Sequence, residues 1–136
     1  MDESKLRPVE LFADLSPRDL RRLSAMTDEI VVPPGTRLIN EGTYAHEFLL
    51  ITAGKAEVRR DGELVAELGP GDFAGEIGVM RDARRNATVV ADTELTAIVL
   101  TAGGLREVAR EMPSVAEKID AAIAARSADP HATPRG

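Results

Sequence analysis

The sequence predicts a mainly β domain, either a sandwich, a barrel or a jelly roll, with helices at both ends. Three observations carry this. Short runs rich in branched apolar residues recur between Ile30 and Leu100. Glycine and proline turn signals separate them. Apolar residues at helical spacing occur before Ile30 and after Thr101. Many short strands in one domain close on themselves or stack as two sheets, because each must bury an apolar face.

The elements follow in order. Ser16-Pro17-Arg18-Asp19 opens a helix, with Ser16 as N-cap, Pro17 at the first helical position and Asp19 in the first turn. Leu20, Leu23 and Met26 continue it at helical spacing, and Asp28 begins the exit. Pro33-Pro34-Gly35 forbids regular structure and marks a turn. Strands are expected over Ile30–Val32, Thr36–Ile39, Phe48–Thr52, Lys55–Arg60, Leu64–Leu68, Ala87–Ala91 and Leu95–Leu100. Ala53-Gly54 and Asp61-Gly62 read as hairpin turns between them. Beyond Thr101, Leu105, Val108 and Ala109 keep helical spacing until Met112-Pro113 interrupts. Ser114-Val115-Ala116-Glu117 reads as a capping box that starts a last helix, with Val115, Ile119, Ala122 and Ile123 on one face. From Ser127 the residues read as a disordered tail, so one domain is expected over 1–127 and a tail over 128–136. No tandem repeat or second domain is visible, and a stand-alone domain is expected.

A chain of 136 residues can bury roughly two-thirds of its unfolded surface. Its 43% hydrophobic and 29% charged content is that of an ordinary globular protein. No apolar run has the roughly 18 to 20 residues that span a bilayer, so no membrane partner is expected. The acidic start Met1-Asp2-Glu3-Ser4 does not resemble a signal peptide. The chain has no cysteine, which excludes disulfides and thiolate metal sites and agrees with a cytoplasmic home. The net charge of −6 and the sparse aromatics, Phe12, Tyr44, Phe48 and Phe73, do not suit nucleic-acid binding. His46 and His131 lie far apart, so no clustered metal set of the cupin type is expected. No nucleophile, base and orienting residue form a recognisable catalytic set, so no enzyme activity is expected.

The most informative stretch is Gly75-Glu76-Ile77-Gly78-Val79-Met80, followed by Arg85-Asn86-Ala87-Thr88-Val89. Gly75 lets backbone approach a ligand closely. If Glu76 opens a short helix, the N–H groups of Ile77 and Gly78 can face an anion. Arg85 offers a planar fork of donors suited to phosphate oxygens. Glu76 only accepts hydrogen bonds, so a ribose 2′-hydroxyl is a natural partner, although its carboxylate also suits a helix N-terminus. Arg81 and Arg84 read as solvated loop charges that raise the local potential. Strand alternation puts Thr88 on the same face as Asn86, where it either reaches a base or packs. Val58, Val65 and Ile77 could wall an apolar base. The whole reads as a clamp for a sugar carrying one phosphate.

These residues resemble the phosphate-binding cassette of the cyclic nucleotide-binding domain family, found in catabolite-activator-type regulators and in regulatory subunits of protein kinase A. That cassette runs Gly-Glu-Leu-Ala/Gly-Leu, then Arg-x-Ala-Thr/Ser-Val, and both halves match here. Val9-Glu10-Leu11-Phe12 before Leu15-Ser16 is similar to the family's N-terminal helical entry. Gly35, Gly42, Gly54 and Gly71 sit where its roll turns carry glycine. The resemblance covers residues 6 to 126.

It implies a double-stranded β-helix (jelly roll) with N-terminal helices, a short cassette helix and two C-terminal helices. It implies a cyclic AMP or cyclic GMP ligand held by Gly75, Glu76, Ile77, Gly78, Arg85, Asn86, Ala87 and Thr88, with backbone N–H groups of Asn86 and Ala87 completing the phosphate cradle. No cofactor or metal is implied. Asn86 departs from the Ala, Ser or Thr that many members carry there. In the family a lid residue from the C-terminal helices closes over the purine; with no aromatic after Phe73, Ile119, Ile123 or Arg126 would serve. Ligand binding would move those helices and signal to an effector protein or a homodimer, through whatever part of the Val115–Ile119–Ile123 stripe is not packed on the roll. The alternative is an interaction or scaffold module that kept the roll without binding nucleotide.

Overall fold

The computed structural model describes residues 1–39, 47–74 and 87–128, with side chains throughout except at 47, 102 and 123–128. The helix expected after Ser16 forms as α1, Pro17–Met26, with the Ser16 hydroxyl accepting from the Asp19 N–H at 3.1 Å. Leu20 and Leu23 turn inward as their spacing requires. Eight strands follow among the described residues: β1 Thr27–Val32, β2 Arg37–Ile39, β3 Glu47–Ala53, β4 Ala56–Arg60, β5 Glu63–Leu68, β6 Phe73–Ala74, β7 Thr88–Ala91 and β8 Leu95–Thr101. Two helices close the described chain, α2 Ala102–Glu111 and α3 Pro113–Ala128.

The strands form two four-stranded antiparallel sheets, ordered β1-β8-β3-β6 and β2-β7-β4-β5. This is the jelly roll. Its centre is the β3–β8 pair, whose runs Phe48-Leu49-Leu50-Ile51 and Ala97-Ile98-Val99-Leu100 are apolar on both faces. Leu49, Ile51, Ala97 and Val99 face the second sheet and join Ile39, Val58, Val89 and Leu95 in an inter-sheet core. Phe48, Leu50, Ile98 and Leu100 face the other way, into a helical core with Leu23, Leu105, Val108, Met112, Val115 and Ile119. Each buried side chain of this size contributes roughly 1.5 to 3 kcal/mol, so one strand pair ties both layers together.

The structure corrects several expectations. β1 starts at Thr27, not Ile30, because pairing with β8 recruits polar residues that read as a helix exit. Thr27 serves both elements: it is buried and its hydroxyl donates to the Leu23 carbonyl at 3.0 Å. Ala53-Gly54 is not a hairpin; it carries the chain from β3 in one sheet to β4 in the other. Asp61-Gly62 is a true hairpin between β4 and β5, with φ of 53° and 81°. Strand β6 gave no sequence signal of its own, being two residues long. It is fixed by the preceding turn, where the Gly71 N–H donates to the Ile51 carbonyl at 2.8 Å and the Ile51 N–H to the Asp72 carbonyl at 2.9 Å.

The last helix also starts differently. Pro113 takes the first position and the Met112 carbonyl accepts from Val115 and Ala116, at 3.0 and 3.3 Å, so no Ser114 capping box opens it. This helix runs on to Ala128. Val115 and Ile119 are spent on the helical core of their own chain, which removes them from any dimer surface. The N-terminal helical entry consists of two short 3-10 turns, Glu3–Lys5 and Glu10–Phe12, the second burying Leu11 and Phe12. The expected cassette helix, Gly42 and residues 129–136 lie outside the described residues.

Lys118 of α3 reaches back to this second turn. Its ammonium donates to the Glu10 carbonyl at 2.7 Å and lies 3.2 Å from the Asp14 carboxylate. Desolvation pulls the pKa of this lysine down, but Asp14 and Glu10 together outweigh it and hold the value above the ordinary lysine range.

Gly54 and Gly35 share a positive φ of 88°, yet differ in surroundings. A methyl at Gly54 would collide with the Glu94 carbonyl oxygen and the Leu95 Cα, whereas one at Gly35 meets open space. Gly35→Ala should cost about 1 kcal/mol. Gly54→Ala should cost about 3 kcal/mol or more, because backbone must shift as well. Urea unfolding of the two variants should therefore separate them clearly; equal losses would contradict the close approach.

Candidate functional site

Segment 75–86 holds Gly75, Glu76, Ile77, Gly78, Arg85 and Asn86, and these lie outside the described residues together with Arg81 and Arg84. Its two anchors are described. Ala74 ends β6 in the first sheet, paired with Leu49, and Ala87 precedes β7 in the second. Ala74 is 2% exposed and Ala87 fully buried, and both belong to the inter-sheet core. The segment therefore leaves one sheet and enters the other with each end fastened to the interior of the roll.

The interior beside these anchors is apolar. Val58 is fully buried, pairs with Val89 across β4 and β7, and shares a cluster with Ala87. Val65 of β5 packs on the same cluster while remaining partly exposed. The structure thus brings together two of the expected base walls, Val58 and Val65, with one expected binding residue, Ala87. Small side chains dominate here: Ala56, Ala74, Ala87, Ala91 and Ala97 are each at most 2% exposed.

Thr88 lies on the other face. It pairs with Arg59, whose neighbour Val58 points inward, and alternation carries Thr88 and Val90 outward. There they line a groove of about 210 Å³ with Arg37, Arg59 and Gly62. Arg59 is held in place by the Glu57 carboxylate at 2.7 Å and the Gly62 carbonyl at 3.2 Å. This groove was not found from the sequence, although the alternation of Glu57, Arg59, Thr88 and Val90 along their strands gives the signal in hindsight.

Of the candidate lid residues, Ile119 is 2% exposed within the helical core and does not stand over the inter-sheet core. The side chains of Ile123 and Arg126 lie outside the described set. Among the described residues no group of three or more His, Cys, Asp or Glu could hold a metal ion. Among them, too, no helix is long and apolar enough to cross a membrane.

Known proteins supply the family. The model of the cyclic nucleotide-binding domain matches residues 29–112, which run from β1 to the end of α2 and include segment 75–86. The cAMP-dependent protein kinase regulatory subunit of Yarrowia lipolytica is 36% identical over 108 residues, 78% of this chain and 29% of that protein. The chain thus spans less than a third of this relative. The catabolite activator protein of Thermus thermophilus superposes with a TM-score of 0.74 at 26% identity, over 85% of this chain and 57% of that one. A regulatory subunit of a cAMP-independent protein kinase A from Trypanosoma brucei shares the fold at a TM-score of 0.76 and 23% identity, covering 93% of this chain and 46% of that one. This chain belongs to the cyclic nucleotide-binding domain family. The resemblance and the jelly roll read from the sequence are borne out.

The two faces of β7 make different demands on side-chain size. Ala87→Leu overfills the interior and should cost about 1 to 3 kcal/mol. Val90→Thr changes an outward position and should stay within about 0.5 kcal/mol. Chemical denaturation tests both; a Val90 variant that loses more than the Ala87 variant would reverse the assignment of faces.

Proposed function

We propose that this domain binds cyclic AMP inside the roll and reports its occupancy by moving its C-terminal helices. One observation carries the reading: both halves of the motif are anchored by buried alanines, Ala74 and Ala87, in one apolar interior. A binding segment fastened in this way presents its backbone to a ligand between the sheets.

In this reading Arg85 pairs its guanidinium with the single charge of the cyclic diester, while Glu76 accepts a hydrogen bond from the ribose 2′-hydroxyl. Gly75 and Gly78 leave room for backbone N–H groups to approach, and Ile77 adds an apolar wall. The N–H groups of Asn86 and Ala87 complete the cradle. Thr88 takes part through its backbone position, since its side chain faces the outer groove. The purine rests against Val65 and the small residues around Ala87. The domain binds without chemistry, and its similarity to a protein whose name specifies cAMP favours that nucleotide.

The output is a population shift: ligand draws α2 and α3 toward the roll, and an effector protein or second copy reads their position. A second reading keeps the fold without the ligand. It is favoured by Asn86, which departs from the usual cassette residue, and by a sequence without an aromatic lid residue after Phe73. A thermal-shift screen with cyclic AMP, cyclic GMP and AMP separates the two, because only a ligand that binds the folded state raises its stability. Binding is expected to raise Tm with cyclic AMP and not with AMP; no shift with any of them favours the second reading.

Arg85→Leu should weaken cyclic AMP by at least roughly thirtyfold, about 2 kcal/mol, since it strands a desolvated charge. Calorimetry giving an unchanged affinity would remove Arg85 from the phosphate. Hydrogen exchange over residues 101–126 should change on adding ligand, and identical protection would contradict helix movement.

A further inference from the structure

Lys118 joins parts of the chain that no strand pairing connects. Besides the Glu10 carbonyl at 2.7 Å and Asp14 at 3.2 Å, its ammonium lies 3.5 Å from the Glu10 carboxylate. All these acceptors belong to the N-terminal turn Glu10–Phe12 or the residues just after it. Next to Lys118 along α3 stands Ile119, buried in the helical core. Beside this contact runs an apolar groove of about 280 Å³, lined by Glu10, Leu11, Gly71, Phe73, Lys118 and Ala121. Phe73 lines it too, its ring tilted by 34° against that of Phe48 with centroids 5.6 Å apart, and it leads through Ala74 into segment 75–86. The lysine, the groove and the start of the binding segment are thus contiguous.

We propose that Lys118 is a latch: it holds α3 on the N-terminal turn and lowers the affinity of the nucleotide site. The inference rests on the proposed function. With the latch closed, Ile119 stays in the helical core, away from the inter-sheet core. Drawing α3 over a purine requires the helix to move, which pulls Lys118 from Glu10 and Asp14. The closed latch and the ligand therefore compete, and each weakens the other by the same factor. Exposure suits this role: the Asp14 and Glu10 side chains are 65% and 91% exposed, so the contacts are weak enough for a ligand to break.

The test uses the whole chain, titrated with cyclic AMP and cyclic GMP by calorimetry and followed by hydrogen exchange without ligand. Lys118→Met keeps the aliphatic stem that lines the groove and removes the charge. It should tighten the nucleotide that binds by roughly threefold to tenfold and speed exchange in residues 113–122. Asp14→Asn should act in the same direction by less, and pairing Lys118→Asp with Asp14→Lys should move affinity back toward the starting protein. An unchanged or weaker affinity in Lys118→Met overturns the latch. If the unaltered chain binds neither nucleotide, the proposed function fails separately. The latch is then decided by exchange alone: faster exchange in Lys118→Met supports it and unchanged exchange overturns it.

Discussion

The β3–β8 pair is the interaction on which the remaining structure depends. Both strands are apolar on both faces, so the same register packs the second sheet on one side and the helices on the other. Neither layer could shift against the sheet without disturbing a row of buried side chains, and close-packed interiors resist continuous deformation. β3 also sets the position of β6: Leu49 pairs with Ala74 and Leu50 with Phe73. The strand that precedes segment 75–86 is therefore fixed by the best-buried part of the molecule.

The same short strand joins the two cores. Phe73 and Ala74 are adjacent, yet they serve different cores, Phe73 the helical one and Ala74 the inter-sheet one. The strand that precedes segment 75–86 thus packs against both layers. The helices themselves are held by a mixture of contacts. Leu105, Val108, Met112, Val115 and Ile119 are firmly buried, while Arg22 to Glu107 and Glu111, at 3.6 and 3.8 Å, and Lys118 to Asp14 are surface pairs. Exposed pairs contribute little to stability and are readily exchanged.

The sequence made the fold legible where pattern and chemistry agreed. Ser16-Pro17 announced α1, Asp61-Gly62 announced the β4–β5 hairpin, and the branched runs announced β3, β7 and β8. It misled where local signals competed with tertiary pairing. Asp28 read as the start of a helix exit and Ile30 as the start of a strand, yet pairing with β8 extends the strand back to Thr27. Ala53-Gly54 read as a hairpin because a positive-φ glycine looks alike whether strands turn back or cross to another sheet. Ser114 read as a cap because the pattern Ser-x-x-Glu was complete, whereas Pro113 had already opened the helix. At the expected site, the motif proposed residues and a chemistry for them, but not which face each occupies. Alternation from Val58 and Val89 settles that for Ala87 and Thr88, and it separates two positions that the motif treats as neighbours with one task.

The central claim is that the ligand sits between the sheets, against the face that carries Ala87, and not in the outer groove beside Thr88. Methyl-labelled protein with bound cyclic AMP tests it most directly, through nuclear Overhauser contacts from the nucleotide to the Ala87, Val65, Thr88 and Val90 methyls. The account predicts contacts to Ala87 and Val65 and none to Thr88 and Val90. Contacts to Thr88 and Val90 alone would put the ligand on the wrong side of the sheet and contradict it.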